Sequence, residues 1–187
     1  MSKKMEALGM VELSSIAVAY LVEDAMLKAS EVELLVARTI CSGKYIVMIG
    51  GPVAAVEASL RAGKHVSREA LIDELFIPNI DERVFPAISG GVTLKDKDKD
   101  ALGILEAFSV TSIIEGADSA VKAADVTLFR IHVAMAIGGK GFLMLTGEVS
   151  DVEAAIEAGA KQIAKRGLLV SKVVIPRPDD RLYRETL

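Results

Sequence analysis

The only cysteine of the chain, Cys41, stands in the stretch "TICSGKYIVMIGG", residues 39–51. A strand-like run enters it, a Ser-Gly-Lys turn follows, and a second apolar run leaves. One cysteine in 187 residues excludes an internal disulfide and any CxxC metal knuckle. As a catalytic nucleophile it would want a histidine base. The two histidines, His65 and His132, are distant in sequence, sit in no HxxxH pattern, and read as structural. The plain alternative is a small buried hydrophobe, since unpaired thiols commonly pack that way. The segment Gly138-Gly139-Lys140 lacks the GxxxxGK[ST] spacing and is no phosphate loop. Two further constellations are the i,i+4 pairs Asp24/Lys28 and Asp118/Lys122, whose plain reading is an exposed helix-surface ion pair.

Those two pairs belong to a chain written twice. "ALGMVELSSIAVAYLVEDAMLKASEVEL" from Ala7 matches "ALGILEAFSVTSIIEGADSAVKAADVTL" from Ala101, with Gly9/Gly103, Glu12/Glu106, Ser15/Ser109, Asp24/Asp118 and Lys28/Lys122 identical. After a two-residue insertion the match resumes from Gly43 and Gly139, and it ends with "IPNIDER" from Ile77 against "IPRPDDR" from Ile175. Two domains of one design are expected, residues 1–94 and 101–187, joined by the alternating charged run "KDKDKD" at 95–100, which reads as a solvated link.

Each copy reads as β-α-β-β-α-β. The fold class is α/β in the broad sense (α+β), with a mainly antiparallel four-stranded sheet and helices on one face. Ser14 or Ser15 can cap the first helix, whose apolar positions Ile16, Ala19, Val22 and Met26 keep helical spacing. "VELLVARTI" and "YIVMIGG" form a hairpin around Cys41. Pro52 suits the first turn of the next helix. In the second copy Ser150 and Glu153 have capping-box spacing.

Composition narrows the partners. Net charge is −4 with the signs interspersed, and aromatics are 4%, which argues against nucleic acid. Hydrophobic residues reach 51% and the mean hydropathy is +0.40, yet no apolar run approaches the ~18 residues of a membrane span. The N-terminal "MSKKMEALG" lacks the apolar core of a secretion signal. A cytoplasmic protein is expected, with surplus apolar surface buried against other subunits.

The residues "ALGMVE", "DAMLKAS", "TICSGKY" and "VIPRP" resemble the bacterial microcompartment shell domain, and the duplication resembles its trimeric, two-domain members, most of all those of the propanediol-utilisation type. The resemblance implies a structural protein rather than an enzyme. Six shell domains make a flat hexagon, so three tandem chains would make a pseudo-hexameric homotrimer that tiles edge to edge with other shell proteins. The loop between the second and third strands would line a central pore: Ile40, Cys41, Ser42, Gly43 and Lys44 in the first domain, and Ala136, Ile137, Gly138, Gly139 and Lys140 in the second. The tile-edge residues would be Lys28, Lys122 and Arg177. The first copy departs from the arginine with Asn79.

The resemblance also implies a third role for Cys41. Iron–sulfur clusters are held by several thiolates, and a threefold axis would bring three copies of Cys41 to one point. The equivalent second-domain loop has no cysteine, so the trimer would present three thiols and leave one iron of a [4Fe-4S] cluster to a non-protein ligand. Gly43 would permit close backbone approach. Ser42 and backbone N–H groups would donate to cluster sulfurs. Lys44 would either offset the cluster's charge or point to water as a strand-edge lysine. Such a shell would pass electrons across itself, or deliver an iron–sulfur unit, toward encapsulated redox enzymes. The alternatives kept open are a shell tile with an open or gated metabolite conduit merely lined by Cys41, and an enzyme using that thiol.

Overall fold

The structure, a computed structural model, describes residues 5–95, 100–133 and 138–183. It divides into two compact units, residues 1–80 and 81–187.

In the first unit β1 (Ala7–Leu13) leads to α1 (Ile16–Ala29), then β2 (Glu33–Ile40), β3 (Lys44–Gly51), α2 (Val53–Ser67) and β4 (Leu71–Pro78). The strands form one antiparallel sheet in the order β2-β3-β1-β4. Ala7, Val11 and Leu13 of β1, with Tyr45, Val47 and Ile49 of β3, face α1 and α2 and enclose Ala19, Val22, Met26, Val56 and Leu60. Each such side chain taken from water contributes about 1.5–3 kcal/mol. Helix and sheet meet closely at Gly9, where a Cβ would lie 2.7 Å from Val56 Cγ1. The sheet's other face, with Leu8, Met10, Ile46 and Met48, is buried as well, so β1 and β3 are near-continuous apolar runs rather than alternating ones.

The second unit opens with α3 (Val84–Ser89) and continues with β5 (Ala101–Ala107), α4 (Val110–Ala123), β6 (Thr127–Val133), β7 (Gly141–Gly147), α5 (Val149–Ala164) and β8 (Leu169–Ile175). Its sheet order is β6-β7-β5-β8. The duplication extends to irregularities. The β2–β3 register slips between Leu34 and Val36, and the β6–β7 register slips at the matching place, between Leu128 and Arg130. Gly103 repeats the close approach of Gly9, its missing Cβ falling 2.7 Å from Ile156 Cγ1.

Local signals held unevenly. Ser15 caps α1, accepting from the Val18 N–H at 3.4 Å, and Ser109 caps α4, accepting from the Ser112 N–H at 3.0 Å. Ile16 does not join the core; it is exposed. The expected capping box at Ser150 and Glu153 is absent: α5 begins at Val149 with Glu148 at the cap position, placing Ser150 inside the first turn. The helix start is set by where β7 ends at Gly147, as the start of α2 after Pro52 is set by Gly51. The first compact unit ends at Ile80 and the second begins at Asp81. The stretch after Ile80 packs with the second unit, where α3 lies on β6 and buries Val84 and Ala87. Of the expected 95–100 link, residues 96–99 lie outside the described residues. Asp100 is held, its N–H donating to Thr146 Oγ1 and its carbonyl accepting from the Tyr183 hydroxyl at 2.6 Å.

Tyr45 reports on the first core. Burial, then the Glu23 carboxylate and Tyr20, push its phenol up from 10 to about 12. A pKa raised by folding stabilises fully below the unfolded value and is lost as pH rises through the folded one. Stability measured by urea denaturation is therefore expected to hold to pH 10 and fall between 10 and 12, on the order of 2 kcal/mol across that window. Tyr45→Phe is expected to remove that part of the fall.

Candidate functional site

The β2–β3 hairpin closes tightly. Ile40 pairs with Lys44, leaving Cys41-Ser42-Gly43 as the turn. Such a three-residue reversal needs left-handed backbone, and it has two such residues: Ser42 at φ 66° and Gly43 at φ 73°. Glycine takes this without cost, as the sequence indicates for Gly43; Ser42 takes it at some cost. Cys41 is half-buried, Ile40 is buried, and Ser42 and Gly43 are exposed at the tip. A Cβ at Gly43 would meet nothing within 4 Å, so the space before the tip is open.

Lys44 has a partner within its own sheet. It forms an ion pair with Glu12, the penultimate residue of the central strand, whose carboxylate is buried. The second copy repeats the arrangement: Lys140 donates to Glu106 at 2.8 Å and its ammonium lies 5.7 Å from the centre of the Phe108 ring. Glu12 and Glu106 are a repeat identity whose role no sequence motif marks. The available signal was an acid retained in both copies of an otherwise apolar strand.

In the second loop, Ala136 and Ile137 lie outside the described residues. Gly138 and Gly139 are left-handed, at φ 68° and 85°, and a Cβ on Gly138 would meet nothing within 4 Å. The described part of this turn, Gly138-Gly139, carries no side chain, and the loop's sequence has no cysteine. Among the described residues of one chain, no three His, Cys, Asp or Glu side chains gather as a metal-binding group. His132 stacks on Phe142 with ring centres 5.1 Å apart, and His65 lies in the last turn of α2.

The expected edge residues occupy helix ends and a strand exit. Lys28 and Lys122 lie in the last turns of α1 and α4, each 2.7 Å from its i−4 aspartate. Lys28 is the more exposed of the two. Arg177 is exposed just beyond β8, and Asn79, at the matching place after β4, is left-handed with φ 54°. No described helix is long and apolar enough to cross a membrane.

The BMC domain model matches residues 7–80 and 101–178, the two sheet units just described. The chain belongs to the BMC-domain family. It is 45% identical over 181 residues to the bacterial microcompartment shell protein PduT of Citrobacter freundii, covering 96% of this chain and 97% of that one. It is 42% identical over 79 residues to the shell protein EutM of Salmonella typhimurium, which covers 42% of this chain and 80% of EutM. The crystal structure of a microcompartment protein from Desulfitobacterium hafniense superposes with a TM-score of 0.92 at 47% identity, covering 97% of this chain and 99% of that one. The chain is a structural microcompartment shell protein with two tandem BMC domains, and not an enzyme.

Glu12 is the site's buried electrostatic anchor. Glu12→Gln is expected to lower unfolding free energy by about 1–3 kcal/mol, because it leaves a half-buried ammonium without its charge partner. Urea denaturation of the variant beside the parent protein checks this.

Proposed function

We propose that this shell protein assembles as a homotrimer whose three Cys41 side chains meet on the threefold axis and together hold a [4Fe-4S] cluster. The observation that carries the reading is the asymmetry of the two hairpin loops: a thiol on an open, tightly closed turn in one copy and no cysteine in the sequence of the matching loop in the other. The donor set suits the group. A thiolate is the ordinary ligand of cluster iron. A single chain lacks a complete ligand set among its described residues, so the remaining ligands come from further copies.

The chain's own residues then have separable tasks. Cys41 binds iron through Sγ. Ser42 and Gly43 expose the tip and leave room before it. Ile40 anchors the turn in the sheet. The Glu12–Lys44 pair pins the hairpin base and leaves little net positive charge there, so the field of Lys44 contributes less to the cluster than a solitary lysine would. When bound, the cluster supplies one-electron chemistry, suited to carrying electrons across the shell or delivering an iron–sulfur unit to encapsulated redox enzymes. Lys28, Lys122 and Arg177 meet neighbouring shell proteins along the tile edges.

Protein purified and reconstituted without oxygen is expected to carry about four iron atoms per trimer and to give a spin signal on reduction. Cys41→Ala is expected to keep the trimer and lose the iron. A variant that retains full iron overturns the ligand assignment and leaves an open or gated metabolite conduit as the reading of the pore. Lys28→Ala combined with Lys122→Ala is expected to weaken two-dimensional sheet formation in electron micrographs while the trimer survives; unchanged sheets would remove both lysines from the edge.

A further inference from the structure

The exit from the first repeat's last strand is anchored, and its copy in the second repeat is not anchored in the same way. Arg83 clasps Asp81 through three bonds: its backbone N–H to Oδ1 at 3.0 Å, Nε to Oδ1 at 2.8 Å and Nη2 to Oδ2 at 2.8 Å. The clasped segment then docks on α4. The Asp81 N–H donates to Asp118 Oδ1 at 2.8 Å, Arg83 Nη2 donates to the Val121 carbonyl, and Val84 is fully buried. Val121 lies in the last turn of α4, where carbonyls lack helical partners, so a guanidinium there acts as a C-terminal cap.

The second repeat builds the same clasp. Arg181 holds Asp179 through its N–H at 3.0 Å, Nε at 2.8 Å and Nη2 at 2.8 Å. This segment is on the surface: the Arg181 and Asp179 side chains are 80% and 54% exposed, and Leu182, which matches the buried Val84, is exposed. The receiving face also exists in duplicate. Asp24 and Leu27 of α1 match Asp118 and Val121 of α4. The Asp118 side chain is 12% exposed and that of Asp24 is 55%. Leu27 is 39% exposed where Val121 is 1%. Tyr20, which matches the fully buried Ile114, is 61% exposed.

We propose that the Asp179–Leu182 clasp of one chain docks on the last two turns of α1 of a second copy. It would do so as residues 81–84 dock on α4: the Asp179 N–H donating to Asp24 Oδ1, the Arg181 guanidinium capping the Leu27 carbonyl, and Leu182 covering apolar surface of α1. The contact is head-to-tail, with different surfaces on the two partners, so it propagates rather than stopping at a dimer, and in the trimer proposed above three such contacts close the ring. It supplies the chemistry of the seam in the homotrimer proposed above and rests on that reading. It also assigns Asp24 a second partner, as Asp118 already has two: Lys122 and the Asp81 N–H.

Sedimentation across a concentration series tests the seam with Arg181→Glu, Asp24→Arg and a control, Arg61→Glu, on an exposed residue of α2. The control is expected to sediment as the parent trimer. Each seam variant alone is expected to dissociate at concentrations at least about tenfold higher than the parent, the scale of one lost charge-assisted hydrogen bond. Mixed together, the two seam variants retain one intact pairing, the Asp179–Leu182 segment of the Asp24→Arg chain on α1 of the Arg181→Glu chain. At concentrations where each seam variant alone is dissociated, they are expected to give a 1:1 dimer and no trimer. Seam variants that sediment like the parent trimer would overturn the seam while leaving the trimer standing. A parent protein that is monomeric at every concentration would overturn both.

Discussion

Antiparallel pairing of β1 with both β3 and β4, repeated by β5 with β7 and β8, is the constraint on which each unit depends. A central strand buried on both faces cannot shift register without moving its whole apolar set out of place. Once β1 is held, β3 is held beside it, and the hairpin that joins β3 to β2 must project its tip at one fixed place. The same strand carries Glu12 to the base of that hairpin, where its carboxylate meets Lys44. The position of Cys41 therefore follows from core packing several residues away rather than from the turn alone.

Duplication gives the chain two versions of one scaffold with freedom to differ at the tips. The structural requirements recur in both: the glycine under the second helix, the serine cap, the strand slip, the glutamate–lysine pair. The chemistry does not. A thiol stands on one turn, and left-handed glycines stand on the other. Differences confined to exposed turns cost little folding energy, because no core side chain depends on them. Identities in buried strands and helix caps remain because changing them would open cavities or strand polar groups.

The same comparison separates the helices α1 and α4. Their sequences align residue by residue, yet most of α4 is buried and α1 keeps only Ala19, Val22 and Met26 inside. A helix whose twin is covered and whose own matching face carries Tyr20, Leu21 and Leu27 at the surface is a helix presented for association. The mean hydropathy of +0.40, high for a chain with no described membrane-spanning helix, has its physical location there in part.

Much of the fold was legible in the residues. Periodicity placed the strands and main helices, Ser15 marked a true cap, and Gly43 marked a left-handed turn. The repeat itself announced two sheets of one topology. These are local or internal-symmetry signals, decided by backbone stereochemistry and side-chain alternation within a few residues. The tertiary structure decided the rest. It moved the stretch after Ile80 into the second unit, because the docking of Asp81 and Arg83 on α4 is a long-range contact that no window of sequence contains. It cancelled the capping box at Ser150, because the end of β7 sets where α5 begins. It gave Lys44 a buried acid more than thirty residues away as its partner, because burying Glu12 in an apolar sheet is tolerable only beside an opposite charge.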